Sequence, residues 1–340
     1  MISWISMIEK GHYMPPVAMI TGMGHKVPDR VLDNKYFEGI VDTSDEWIVT
    51  RTGIKERHVV EPGTGLSELA IPAARIAMEN AGIDAKDLDL IVVSTVSGDT
   101  QFPSTAIHVQ AGLGATNAVA FDVNATCAGY LYGIHLAKNF IESGAYKTIL
   151  VIGGEILSSM VDYEDRSTCV LFGDGAGACV VQKSNGDRGI LATHIASDGR
   201  LAKLLYRWGA GSAHVLDHEL LDSREHFMKM QGNEVFRYAV RLMASACKIV
   251  MEKAGLTRDD IDMLFPHQAN IRIIKALGKN LKMDNSKVFV NIERYGNTSA
   301  ASIPIAMCEA LETGRIREGD TVMMVSFGGG FTWAAAIVKI

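Results

Sequence analysis

The chain repeats itself. Met78-Glu79-Asn80-Ala81-Gly82-Ile83-Asp84-Ala85-Lys86-Asp87-Leu88-Asp89-Leu90-Ile91 matches Met251-Glu252-Lys253-Ala254-Gly255-Leu256-Thr257-Arg258-Asp259-Asp260-Ile261-Asp262-Met263-Leu264 at one constant offset, with Met, Glu, Ala, Gly and two Asp identical. The same offset carries Thr148, where one apolar strand begins, onto Thr321, where another begins. A helix closed by Gly, an acidic turn and a buried strand, made twice, demand two copies of one α/β unit. Matching Glu142-Ser143-Gly144 to Glu312-Thr313-Gly314 shifts the offset slightly and sets Cys127 opposite Asn297, while Ser94 falls opposite His267. All three candidates then lie at strand-to-helix turns, the carboxyl ends where open α/β sheets build their sites.

The length of 340 residues suits two fused units. We expect them at 17–185 and 186–340, behind an N-terminal extension, 1–16. The extension carries Trp4, Ile5 and Ile8 but also Glu9, Lys10 and His12, with no long apolar core or small-residue cleavage site. It reads as neither a signal peptide nor a membrane anchor. A net charge of −6 without a basic stripe argues against a nucleic-acid partner. The cysteines (Cys127, Cys169, Cys179, Cys247, Cys308) are odd in number and mostly sit in apolar runs, which suits a reducing cytoplasm rather than a disulfide framework.

The nucleophile candidate lies in Phe121-Asp122-Val123-Asn124-Ala125-Thr126-Cys127-Ala128-Gly129-Tyr130. Apolar residues from Ala118 to Val123 read as a strand, and Leu131, Ile134, Leu136, Ala137, Phe140 and Ile141 give helical spacing up to Gly144. Cys127 therefore stands where free N–H groups and the helix dipole favour a thiolate. Such a position lowers a thiol pKa from about 8.5 to roughly 3.5–7.5. Taken alone, the stretch also fits a small buried cysteine with no chemistry.

His267 follows a buried strand in Phe265-Pro266-His267-Gln268-Ala269-Asn270, and Asn297 precedes a helix in Tyr295-Gly296-Asn297-Thr298-Ser299-Ala300-Ala301-Ser302. Alone, the first reads equally as a structural histidine and the second as a helix cap. Phe327-Gly328-Gly329-Gly330-Phe331 after the strand Val322 to Ser326 lets backbone N–H groups approach a reacting oxygen, as an oxyanion hole requires. Three rivals are weaker. Gly22 and Gly24 are not followed by the helix that a dinucleotide fingerprint needs, since Pro28 intervenes. Gly173-Asp174-Gly175-Ala176-Gly177 lacks a phosphate-loop lysine and reads as a hairpin-like turn. His214 and His218 have metal spacing but no third ligand, so no metal is expected, and Met228 and Met230 read as core or tunnel lining.

Together these stretches, with Val41-Asp42-Thr43-Ser44-Asp45-Glu46-Trp47-Ile48-Val49-Thr50-Arg51-Thr52-Gly53-Ile54 and Phe172 to Ala178, resemble the β-ketoacyl-[acyl-carrier-protein] synthase III family. The resemblance spans Val17 to Ile340. It implies the thiolase fold, a duplicated five-layered αβαβα sandwich, usually dimeric, acting in the cytoplasm without a cofactor. It implies a Cys-His-Asn triad at Cys127, His267 and Asn297, with an oxyanion hole at the N–H groups of Cys127 and Gly329. Acyl-CoA, most simply acetyl-CoA, and malonyl-acyl carrier protein are the implied partners. Trp47, Arg51, Arg166 and Asn270 correspond to CoA contacts, Arg272 to carrier-protein docking, and Phe102 to an acyl-pocket residue lent to a partner subunit. Ser167 and Thr126 replace smaller residues usual in the family, and 206–226 follows no familiar pattern, departures that bear on substrate length more than chemistry. Two other readings share the triad positions: a relative in secondary metabolism with another acyl acceptor, and a non-catalytic partner subunit.

Overall fold

The structure is a computed structural model that describes residues 17–184, 186–209 and 211–340, so the N-terminal extension lies outside the described residues. Two large sheets carry the architecture. β1 (Ala18–Lys26), β2 (Leu90–Ser94), β3 (Val119–Val123), β4 (Thr148–Glu155) and β5 (Gly175–Lys183) form the first, in the order β1-β5-β4-β2-β3. β6 (Gly189–Ser197), β7 (Met263–Pro266), β8 (Thr321–Gly328) and β9 (Thr332–Lys339) form the second, in the order β7-β8-β9-β6. In both, two parallel neighbours (β2 with β4, β7 with β8) are followed by two antiparallel ones. The fifth place, held by β3 in the first sheet, is marked in the second by a single bridge between Leu264 and Val288.

Helices fill the layers on either side. α1 (Asp45–Thr52) belongs to an excursion near the site, α2 (Ser67–Ala81) and α3 (Thr105–Leu113) cover the outer face of the first sheet, and α4 (Gly129–Ser143) lies on its inner face. α5 (Gly232–Ala254) and α6 (Ile271–Leu281) cover the outer face of the second sheet, while α7 (Ser302–Glu312) joins α4 between the sheets. The result is five layers, αβαβα. The central layer is held by Tyr130, Leu131, Ile134, Ile303 and Met307 against Val151, Cys179, Met324 and Ala336. Each such fully buried Leu or Ile contributes about 1.5–3 kcal/mol of transfer free energy.

Local sequence explains most element ends. Gly82, Gly114, Gly144 and Gly255 close four helices in the left-handed region, as C-cap glycines do. Ser44 caps α1 by accepting from the Trp47 N–H at 3.1 Å. Gly22 and Gly24 serve helix packing, since a Cβ on either would lie 2.3 Å from the Ala77 carbonyl oxygen or 2.5 Å from that of Ala73. Gly173 to Gly177 is not a hairpin turn. Gly175 opens β5, and the Asp174 carboxylate anchors it by accepting from Val60 N at 2.9 Å, Ser158 N at 2.9 Å and Ser158 Oγ at 2.6 Å.

One register expectation is corrected. Thr126 and Ser299 both hold positive φ, 46° and 48°, and each opens a one-turn 3-10 segment, 126–128 and 299–301. The constant offset of the long repeat pairs these residues, so the counterpart of Cys127 is Ala300, with Asn297 lying three residues before it. The slightly different offset read from Gly144 and Gly314 arises because α7 has 11 residues where α4 has 15.

The two turns press on the sheets at places that tolerate no extra atom. A Cβ on Gly153 would lie 2.3 Å from the Ala300 carbonyl oxygen. Gly153→Ala is expected to cost about 1–3 kcal/mol by overpacking and to lower the midpoint of thermal unfolding by several degrees. Gly199→Ala, whose new methyl would meet nothing within 4 Å, leaves the midpoint within error.

Candidate active site

The Cys127 turn is clamped from both halves. Ser94 donates to the Gly129 carbonyl at 2.8 Å, Ser326 to the Cys127 carbonyl at 2.6 Å, and Thr332 to the Ala125 carbonyl at 2.7 Å. The Thr126 hydroxyl, on a φ rare for a β-branched residue, donates to the Gly329 carbonyl at 3.0 Å. Gly328 is required here, because a Cβ would stand 2.1 Å from Thr126 Oγ1 and 2.6 Å from the Cys127 nitrogen. The glycine strand end thus runs against the nucleophile turn. Neither the Cys127 nor the Gly329 N–H bonds an acceptor on another residue among the described residues, which leaves both available to a reacting oxygen.

Cys127, His267, Asn297 and Gly329 line one cavity of about 850 Å³. Its apolar end is formed by Leu157, Met160, Phe172, Leu205 and Met228. Trp47, Arg51, Asn270 and Arg272 line the same cavity together with Arg207 and Arg237. Arg51 and Arg166 hold their guanidinium carbons 4.7 and 4.9 Å from the Trp47 ring centre, so the indole carries a cation on its surface at two points. Arg166 also donates to the Asp42 carbonyl at 2.6 Å. Phe102 lines no part of this cavity and is 87% exposed. The stretch 206–226 begins in a ribbon between Leu205–Tyr206 and Lys229–Met230, stacks Trp208 between Tyr206 and His214, and returns to pair Arg224 with Asp162. It brings Tyr206 and Arg207 to the cavity wall.

Hydrogen bonds fix which atoms the histidine and asparagine offer. His267 Nδ1 lies 2.7 Å from Ser302 Oγ, which also accepts from the Gln268 N–H at 3.4 Å. With Ser302 donating to Nδ1, the ring carries its proton on Nε2. Asn297 Oδ1 accepts from the Ser299 N–H at 2.9 Å, leaving its amide NH₂ as the free end. Both residues are buried, 3% and 7% exposed, and in that tautomer both present donors rather than acceptors. Burial alone pushes the His267 pKa down to about 3, so the ring is neutral at physiological pH.

The thiol differs from its sequence expectation. Although part of Cys127 faces the cavity, enclosure by protein pushes its pKa up to about 12, the Ser299 hydrogen bond opposing this and the charge of Glu155 adding to it. Loss of water outweighs the helix N-terminus, so the ligand-free protein rests as a thiol. Sequence reading also missed Glu155, Ser299 and Ser302. The usable signal was the constant offset, which pairs Ser302 with Gly129 just as it pairs His267 with Ser94. Among the described residues, no three His, Cys, Asp or Glu side chains gather to hold a metal, and no helix is long and apolar enough to cross a membrane.

Comparison with known proteins identifies the family. The family model described as 3-oxoacyl-[acyl-carrier-protein (ACP)] synthase III matches residues 121–199, and its C-terminal counterpart matches 251–340. The chain is 50% identical over 322 residues to beta-ketoacyl-[acyl-carrier-protein] synthase III of Caldanaerobacter subterraneus subsp. tengcongensis, covering 95% of this chain and 97% of that one. It is 49% identical to the same enzyme of Clostridioides difficile, again over 95% of its length and 98% of the relative's. The crystal structure of 3-oxoacyl-[acyl-carrier-protein] synthase III from Aquifex aeolicus VF5 superposes with a TM-score of 0.88 at 46% identity, covering 95% of this chain and all of that one. Fold and relatives define a thiolase-fold condensing enzyme, an acyltransferase. Within that class, the chain belongs to the β-ketoacyl-[acyl-carrier-protein] synthase III family.

The tautomer and depressed pKa of His267 are open to direct measurement. In nitrogen-15 histidine spectra, the His267 ring is expected to stay neutral, with Nε2 protonated, when titrated from neutral pH down to about pH 5, where an ordinary histidine is mostly charged. Ser302→Ala should mix the two tautomers while leaving the ring neutral.

Proposed function

We propose that the chain initiates fatty-acid synthesis, transferring a short acyl group from CoA to Cys127 and condensing it with malonyl-carrier protein. The carrying observation is that one cavity holds a cysteine, two free backbone N–H groups and two neutral side-chain donors.

In the first stage, Cys127 sulfur attacks the acyl thioester. Charge passes to the carbonyl oxygen, where the N–H groups of Cys127 and Gly329 stabilise it, and CoA leaves. In the second, His267 Nε2–H and Asn297 Nδ2–H hold the malonyl thioester oxygen as carbon dioxide departs. The negative charge that decarboxylation releases then rests on that oxygen as an enolate. Two neutral donors in a water-poor site suit this step, because a charged imidazolium would hand its proton to the enolate carbon and end the reaction. The enolate carbon attacks the acyl-Cys127 thioester, giving a β-ketoacyl-carrier protein.

The cavity mouth fits the carriers. Trp47 with Arg166 provides a flat face and a planar cation for the CoA adenine, with Arg51 for phosphate and Asn270 for the pantetheine arm. The ring and Arg166 are already stacked, so an adenine has to displace the guanidinium to lie on the indole. Arg272, exposed beside Arg51, suits an acidic carrier protein against a chain whose net charge is −6. A homodimer fits the exposed Phe102 and the edge position of β3, whose first residue, Val119, is half exposed. In that assembly, Phe102 would close the acyl pocket of the partner subunit.

Intact-protein mass spectrometry after incubation with a panel of acyl-CoAs should show one acyl group per chain, absent in Cys127→Ser; no gain with any acyl-CoA refutes the reading. His267→Ala and Asn297→Ala should still be acylated while losing malonyl decarboxylation by about 100-fold or more. Trp47→Ala should raise KM for acyl-CoA about tenfold with kcat largely kept, since stacking energy is spent on binding alone.

A further inference from the structure

Glu155 is wholly buried at the end of β4, with no cation recorded against it. Its oxygens are used unequally. Oε2 accepts from Ser97 Oγ at 2.5 Å, Val96 N at 3.0 Å, Ser97 N at 3.1 Å and Thr95 Oγ1 at 3.1 Å. Among the described residues Oε1 accepts only from the Ser299 hydroxyl, at 3.1 Å. Ser299 and Cys127 line the same cavity on two turns packed against each other, and the Ser299 hydroxyl acts on the thiol to lower its pKa against the burial that raises it. Ser299 gives its proton to the Glu155 carboxylate, which leaves its oxygen free to accept from the neighbouring S–H. A four-fold occupied Oε2 leaves Oε1 as the atom that can take a proton.

We propose that Glu155 accepts the Cys127 proton through Ser299 when the sulfur attacks an acyl thioester, and returns it when the sulfur leaves. This rests on the acyl-transfer reading above. The S–H bond breaks toward Ser299 Oγ, the Ser299 O–H bond breaks toward Glu155 Oε1, and the sulfur lone pair forms the acyl bond. CoA departs as a thiolate and takes its proton from water at the mouth. When the enolate expels Cys127 sulfur, the proton returns along the same path. Net, one acyl-CoA, one malonyl-carrier protein and one proton give β-ketoacyl-carrier protein, CoA and carbon dioxide.

The surroundings favour this route over His267. Cys127 is the titratable group facing Glu155; the other groups against it, Thr95, Ser97, Ser299 and the N–H groups of 96 and 97, are uncharged. Burial pushes Glu155 up to about 7, within reach of a proton at cellular pH. His267 is pushed down to about 3, and its Nδ1 is bonded to Ser302 rather than to a carboxylate that would stabilise an imidazolium. Mutual repulsion between thiolate and carboxylate gives the same direction, since charge on one drives the proton to the other. Ser299 stands in the same cavity as the reacting sulfur as the first acceptor, and Glu155 is a positioning residue acting through it.

The test is the rate of Cys127 acylation by acetyl-CoA, followed by rapid-quench intact mass spectrometry between about pH 5.5 and 9.5, in wild type, Glu155→Gln, Ser299→Ala and Ser299→Thr. Wild type should rise through one inflection at about 7 and then level. Glu155→Gln and Ser299→Ala should each slow acylation about 100-fold at neutral pH and replace the level region by a continuing climb, and Ser299→Thr should restore it. Either variant acylating at the wild-type rate and profile, with an unchanged unfolding midpoint, overturns the relay. A proton inventory on wild type keeps the test independent of variant folding. Curvature from two moving protons supports the relay, and a linear plot from one overturns it. A wild-type protein that takes no acyl group from any acyl-CoA overturns the acyl-transfer reading and the relay together, whereas relay failure leaves wild-type acylation intact.

Discussion

The structure depends on two short turns, 126–128 and 299–301, packed against each other between the sheets. Each is held by the strand ends of both halves. Gly153 of β4 leaves room for the Ala300 carbonyl, and at the equivalent place in β8 Ser326 donates to the Cys127 carbonyl. On the neighbouring strands, Ser94 bonds the Gly129 carbonyl, while His267 bonds the side chain of Ser302, which is Gly129's counterpart. One backbone frame thus carries two kinds of chemistry. In the first half it offers the Cys127 sulfur and N–H; in the second, the Gly329 N–H with an imidazole and an amide.

Much of this was legible in the sequence. The repeated Met-Glu-x-Ala-Gly stretch announced two α/β units, because a helix and a buried strand of fixed spacing can close in few ways. Cys127 and His267 were found at their turns for the same reason. The misplacement of Asn297 has a plain origin. Helix length is set by where the chain can turn, and α7, ending at Glu312, is shorter than α4. An alignment pinned on the terminal glycine therefore slipped by three residues, an offset of 170 against 173, while one pinned on the strands held.

Other features were beyond the reach of pattern. Helix position suggested a low thiol pKa for Cys127, yet desolvation depends on what closes over the sulfur from the other half, and no local spacing reports that. Glu155 reads in sequence as the polar end of an apolar strand. Its burial follows from Thr95, Val96 and Ser97, which lie on a different strand end and turn their donors toward it. Gly173 to Gly177 looked like a turn because glycine is ambiguous between turns and tight packing. Contact with Pro304 and Ile305 of α7 makes close approach the reason for Gly177.

The sharing of one frame by two halves has a consequence for descent. A duplicated gene is normally free to let one copy drift, because the other retains the task. Here the freedom is absent. The hydroxyl that holds the Cys127 turn is on β8, the carboxylate beside Ser299 is on β4, and the glycine that lets the nucleophile turn pack is Gly328. Each half is the other's scaffold, so a substitution that relaxes one shifts the chemistry of both, and the copies are bound to change as a single hereditary unit.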